Sequence, residues 1–197
     1  MSNRDGFRGR VEDAMYCRPR GPLGRIGARR MARDNASSEA WAVDQLDRDL
    51  IRHVLVVGPG AGIGLDLAAK ALPAGDIVAV EPSRLMRRLS ARRCARHIAA
   101  GVVRITTGGA ENTGCADSSI EAVISVNNVL LWDQAAAFAE LRRVLRPGGR
   151  LILAEHQHGD ADRMRFLVRT TEGAGFAVRM ATVEDDAAIR LVAVRRP

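Results

Sequence analysis

The 197-residue sequence has one lysine, Lys70, and one tyrosine, Tyr16. A short-chain nicotinamide reductase needs a Tyr and a Lys four residues apart, so that reading nearly falls. Aromatic residues make up only 4% of the chain, which supplies little of the stacking platform that single-stranded nucleic acid needs. No apolar run approaches the roughly 18 residues required to cross a bilayer. The Arg- and Gly-rich N-terminus lacks the apolar stretch of a secretory signal, so a cytoplasmic location is expected. Cys17, Cys94 and Cys115 are widely spaced and match no zinc pattern, which predicts reduced thiols and no bound metal.

What the chain has in plenty is arginine. The net charge is +7, and with a single lysine that excess reads as coding bias as much as an adaptation to polyanions. Residues 1–34 form a basic leader, with "RPRGPLGRIGARRMAR" dense in Gly and Pro. A solvated tail is one reading. A lid is the other, because Leu23, Ile26 and Met31 give the segment some apolar grip.

From residue 35 the pattern becomes regular. "NASSEAWAVDQLDRDL" offers Asn and Ser as helix caps and Trp41, Leu46 and Leu50 as an apolar stripe. "HVLVV", "DIVAVE", "GVVRIT", "SIEAVISV", "RLILAE", "FAVRMAT" and "AIRLVAVRR" then read as strands. Helices are expected near 62–72, near 84–98, through "AAAFAELRRVL" and through "DRMRFLVRTTEGAG". Continuous Val/Ile/Leu strands alternating with helices predict an α/β, Rossmann-like, doubly wound, mostly parallel seven-stranded sheet with helices on both faces. Only "VEDDA" separates the last two strands, so the last strand should run antiparallel. Residues 35–197 therefore form one domain.

In such a sheet a ligand binds beyond the carboxyl ends of the strands, where strand order reverses. The loop "GPGAGIG" follows the first strand with glycine at 58, 60, 62 and 64. A dinucleotide fingerprint beginning at Gly58 would need glycine at 63, and one beginning at Gly60 would need it at 65; these are Ile63 and Leu65. Glu81 ends the second strand, where a carboxylate can accept hydrogen bonds from both ribose hydroxyls. That placement establishes a ribose and not a reaction.

Together, "VLVVGPGAGIG", "VAVEPSRLM", "GGAEN", "EAVISVNNVLLW" and "ELRRVLRPGGRLILAE" resemble the class I S-adenosylmethionine-dependent methyltransferases, in order and at family spacing over residues 36–197. The leader resembles that of small bacterial members. The resemblance implies S-adenosylmethionine as cofactor and S-adenosylhomocysteine as product. It implies backbone at Gly58, Gly60 and Gly62 beside the methionine moiety, and Glu81 on the ribose with Pro82, Ser83 and Met86 nearby. Gly109, Ala110 and Glu111 would flank the adenine, and Asn127 would lie near the amino-acid end. Asn128 is a candidate to face the acceptor, and Trp132 and Asp133, which follow the fourth strand, could line its pocket; Trp132 as simple core packing is the other reading. Two positions depart from the family pattern. Val56 stands where members usually carry an acid, and Gly109 where many carry an adenine-contacting aspartate. The methionine ammonium is then held by an Asp or Glu elsewhere, or cofactor affinity is lower.

A sulfonium methyl is already activated, so such a protein mainly aligns a nucleophile and excludes water. His156 and His158 in "AEHQHGD" are the candidate general bases; His53 and His97 read as structural or solvated. The arginines at 84, 87, 88, 92, 93 and 96 read as a solvated helix face. Methyl transfer to a small-molecule acceptor is the first expectation. The alternatives are an RNA- or protein-directed methyltransferase that uses the basic leader, or a non-catalytic S-adenosylmethionine-binding protein.

Overall fold

The computed structural model describes residues 27, 30, 33–155, 160–184 and 188–197. The leader or lid expectation falls almost wholly outside these residues, and so do His156 and His158.

The described elements follow in order: α1 (Ala36–Asp44), β1 (His53–Val57), α2 (Ile63–Ala71), β2 (Asp76–Val80), α3 (Arg84–Arg93), α4 (Ala95–Ala99) and β3 (Val103–Thr106). After these come β4 (Ile120–Val126), a single 3-10 turn (Val129–Leu131), α5 (Gln134–Val144), β5 (Leu145–Glu155), α6 (Ala161–Gly173), β6 (Phe176–Val183) and β7 (Ile189–Arg195). The strands form one sheet in the order β3-β2-β1-β4-β5-β7-β6. β1 pairs in parallel with both β2 and β4, while β7 runs antiparallel between β5 and β6. The chain winds outward from β1 to β3 and then returns to the other side of β1. The expected doubly wound, mostly parallel seven-stranded sheet is present, and its crevice opens past the carboxyl ends of β1 and β4.

Strand periodicity sorts the core into two layers. Leu55, Val57, Val78, Val80, Val123, Leu151 and Leu153 pack against Phe138 and Leu141 of α5, Leu167 of α6, and Phe176. The residues between them, Val54, Val56, Ile77, Ala79, Ala122, Ile124 and Ile152, pack against Ala42 and Val43 of α1 and Leu65 and Ala68 of α2. Both faces of the central strands are buried, which is why they read as unbroken apolar runs.

Several local expectations are corrected. Leu50 is 68% exposed, and α1 instead buries Ala42 and Val43, with Leu46 just beyond its end. Asn35 flanks α1 without a side-chain cap; its Oδ1 accepts from Asn127 Nδ2 at 2.6 Å, out in the crevice. The single helix near 84–98 breaks at Cys94 into α3 and α4. Pro147 and its glycines do not precede β5 but bulge out of it: Leu145 pairs with Ile120, and pairing resumes at Arg150 opposite Ala122. The Cys94 thiol is buried, which raises it to about 11, and it donates to the Gly62 carbonyl; Cys115 is free and partly buried.

Residues 107–119, between β3 and β4, contain no helix and are fastened to α5 by one carboxylate. Glu140 Oε1 accepts from Thr113 N at 2.9 Å and from Thr113 Oγ1 at 2.7 Å. Its Oε2 accepts from Arg143 Nε at 2.8 Å, and Arg143 also donates to the Cys115 carbonyl and to Asp117. Arg143, first, and the Thr113 donors hold the Glu140 carboxyl down at about 2. Glu140→Ala leaves these donors without their acceptor and should lower stability by about 1–3 kcal/mol, a Tm fall of roughly 3–10 °C. Because the folded value lies below the ordinary carboxylate range, the stabilisation is present above that range and lost as pH falls toward 2. Acid denaturation followed by circular dichroism should therefore be shallower in Glu140→Gln between pH 5 and 2; an unchanged profile refutes the assignment.

Candidate functional site

β1 ends in Val57 and the chain turns at once, with positive φ at Gly58, Gly60 and Gly62. Gly58 sits at φ +64 with no room above it: a Cβ would lie 2.5 Å from Asn128 Oδ1. Only glycine satisfies both demands. Gly58 N donates to the Val80 carbonyl at 2.9 Å, which joins the loop to the end of β2.

Glu81 follows directly and is buried. Its Oε2 accepts from Gly60 N at 3.3 Å and its Oε1 from Ser83 N at 2.8 Å. Burial raises its pKa, and the two backbone donors and Arg87 work in the opposite direction. Each carboxylate oxygen keeps further acceptor capacity, enough for a vicinal diol. Ser83 caps α3, its Oγ accepting from Met86 N, and Met86 is buried while Pro82 is exposed. Arg87 is not a solvated charge: its Nη1 donates to the carbonyls of Glu81 and Pro82, each at 2.7 Å. Arg93 likewise donates to the Ala61 carbonyl at 3.0 Å. The arginine-rich helix thus braces both the glycine loop and the turn after β2.

The third segment follows β3. Gly109 and Asn112 bond to each other across a tight loop, Ala110 is buried in the core, and Glu111 Oε1 accepts from Asp133 N at 3.0 Å. A cavity of about 750 Å³ runs behind this loop from His53 to Thr113. Gly109 and Glu111 line it, and none of residues 58–62 does.

Past β4, Asn127 has φ +56, and its N donates to the Ala154 carbonyl. Asn128, expected to face an acceptor, is turned inward. Its Nδ2 donates to the carbonyls of Val57, Gly58 and Val126 and to Ser125 Oγ, at 2.7–3.3 Å. Trp132 is half-buried and meets Phe138 edge-on, with ring centroids 6.2 Å apart. The candidate residues at 58–62, 81–86 and 127–128 therefore gather at the strand reversal, with Asn128 serving as a brace.

Two acids escaped the sequence reading. Glu155, the last residue of β5, is buried, and its Oε1 accepts from Val129 N at 2.8 Å to pin the 3-10 turn. Burial pushes its carboxyl up to about 7, against the Val129 and Asn128 N–H groups and the charge of Arg163. A carboxylate ending an apolar strand was the available signal. Glu39 of α1 lies against the start of α2, where a Cβ on Gly64 would be 3.3 Å from its side chain. Among the described residues no His/Cys/Asp/Glu group is arranged to hold a metal, and no helix is long and apolar enough to cross a membrane.

Residues 55–153, half of the chain, match the family model of a methyltransferase domain. Over 121 residues the chain is 31% identical to the uncharacterised methyltransferase YdaC of Bacillus subtilis, covering 61% of this chain and 65% of that protein. It is 28% identical over 107 residues to the ubiquinone/menaquinone biosynthesis C-methyltransferase UbiE of Geotalea daltonii, covering 52% and 45% respectively. Geranyl diphosphate methyltransferase, solved with GPP and sinefungin, has a similar fold: TM-score 0.67 at 15% identity, over 81% of this chain and 78% of that one. The chain spans less than two thirds of the length of the curated relatives it matches. With its strand order and its glycine loop at the reversal, the chain belongs to the methyltransferase-domain family and has the Rossmann-like fold of solved methyltransferases.

Proposed function

We propose that the protein transfers a methyl group from S-adenosylmethionine to a small-molecule acceptor by in-line displacement, leaving S-adenosylhomocysteine. The observation that carries this reading is the anchored carboxylate of Glu81, fixed by Gly60 N and Ser83 N beside a glycine loop. When bound, the cofactor supplies a methyl on a sulfonium centre, already activated toward a nucleophile. Glu81 would accept from the ribose hydroxyls, and the bare backbone at 58–62 would let the cofactor approach closely. Segment 109–111 would border the adenine, and Asn127 the amino-acid end. Asn128 and Glu155 hold the segment past β4 in place, so what remains for the chain is to orient the acceptor and exclude water.

A small, largely apolar acceptor is supported by side chains that follow β4 and β5. Leu130, Leu131 and Phe166 are 44%, 60% and 49% exposed. Of the similar proteins, one is named for geranyl diphosphate and another for ubiquinone/menaquinone biosynthesis. His156 and His158 remain our candidates for a general base.

One observation favours a second reading. Arg84, Arg88, Arg92 and Arg96 recur every fourth residue, all exposed, along α3 and α4. A stripe of this kind suits a phosphate backbone, and with it an RNA-directed methyltransferase.

S-adenosylhomocysteine at about 100 times its Kd should stabilise the protein by about 2.7 kcal/mol, a Tm rise of roughly 5–10 °C. NAD should give no shift. Glu81→Ala should weaken S-adenosylhomocysteine binding by about 10- to 100-fold. A shift with NAD alone, or full affinity in the variant, overturns the reading. RNA retention on a filter distinguishes the acceptors: tight binding that weakens steeply between 50 and 200 mM salt, and is lost when the four stripe arginines become Gln, would favour RNA.

A further inference from the structure

Glu39 lies where a charge is costly. It opens the core-facing stripe of α1, followed at helical spacing by Ala42, Val43 and Leu46, all buried. Those residues share a layer with Val56 of β1, so the stripe points toward the underside of the glycine loop. β1 itself brings Val56 and Val57 to that loop and no acid.

The carboxyl is held at the first turn of α2, where N–H groups lack intrahelical partners. Gly64 N faces it and, with the charge of Arg93, works against the effect of its burial. Gly64 makes this approach possible, because a Cβ there would stand 3.3 Å from Glu39 Cβ and Cγ. The alternating glycines of the loop thus end in one whose task is to admit an acid. The second oxygen, Oε2, is buried and has no hydrogen-bond partner. A buried acceptor left unpaired is strongly disfavoured. Arg93 makes no hydrogen bond to that oxygen, and its Nε donates to the Ala61 carbonyl. Burial pushes the carboxyl up to about 7, against Gly64 N and the charge of Arg93.

We propose that Glu39 is the acid of the glycine loop: one oxygen holds Gly64 N, and the other binds the ammonium group of the cofactor's amino-acid end. This rests on the methyltransferase reading, which brings an ammonium to that loop. The functional contact then comes from a helix before β1, not from β1 itself.

The test compares two nucleosides on the full-length chain by isothermal titration. S-adenosylhomocysteine carries the ammonium; 5′-methylthioadenosine keeps the adenine, ribose and thioether and lacks it. Glu39→Gln still offers an oxygen to Gly64 N and should weaken S-adenosylhomocysteine by about 10- to 100-fold. Its affinity for 5′-methylthioadenosine should stay unchanged. Gly64→Ala, which crowds Glu39 off its seat, should give the same selective loss and serves if Glu39→Gln does not fold. Equal loss for both nucleosides would make Glu39 a structural brace and overturn the proposal, as would no loss for either. If the wild-type chain binds neither nucleoside, the cofactor reading falls and takes this inference with it; if it binds both and only the selectivity fails, the cofactor reading stands alone.

Discussion

One carboxylate ties the crevice together. Glu81 accepts from Gly60 N in the loop after β1 and from Ser83 N at the head of α3, while its own carbonyl accepts from Arg87. Three pieces of chain are fixed by one residue at the end of β2. The arrangement depends on the sheet beneath it, because the register of β1 against β2 sets Val57 opposite Val80 and so brings Gly58 and Glu81 side by side. A one-residue slip would turn every core side chain to the wrong face, and the two inner layers forbid it.

The same device recurs around the crevice. Glu155 accepts from the turn after β4, and Glu39 faces Gly64 N in the first turn of α2. Each is an acid desolvated by burial and compensated first by backbone N–H and then by the charge of a nearby arginine. Arg87 and Arg93 also donate to backbone carbonyls. A chain of net charge +7 thus gathers three acids around the crevice, each pushed toward its neutral form by burial.

Most of the fold was legible because it is written in short-range pattern. The strands are unbroken β-branched runs, and the alternate residues Val54, Leu55, Val56 and Val57 divide between the two layers. The glycine spacing marked the loop, and the acid ending the second strand marked Glu81 as its neighbour. Contacts between residues far apart in sequence were not legible. Asn128 read as a residue facing outward, and only the proximity of Gly58 and Val57 shows that its amide is occupied. Arg87 and Arg93 looked like a solvated face because periodicity does not show which backbone carbonyls lie unpaired nearby. Glu39 was passed over when Trp41 and Leu50 were taken as the stripe of α1. Trp41 does pack, partly buried, against the core layer, and its ring also lies under the guanidinium of Arg190, 5.3 Å from the centroid.

On the function proposed above, these braces divide the labour between two sides of the site. On the proposed cofactor side Glu81 and Asn128 are committed to the glycine loop, Arg87 to the turn after β2 and Glu155 to the turn after β4. Such contacts constrain the chain's path and leave little freedom for side-chain substitution. On the acceptor side, past β4 and β5, Leu130, Leu131 and Phe166 stand exposed, while Glu155 pins Val129 and α6 is seated by its Asp160 cap and by buried Leu167 and Thr171. Changing these side chains leaves the hydrogen-bonded frame intact, so acceptor choice can vary without disturbing the cofactor cradle. Relatives on this frame are therefore expected to agree in how they hold a ribose and to differ in what they methylate.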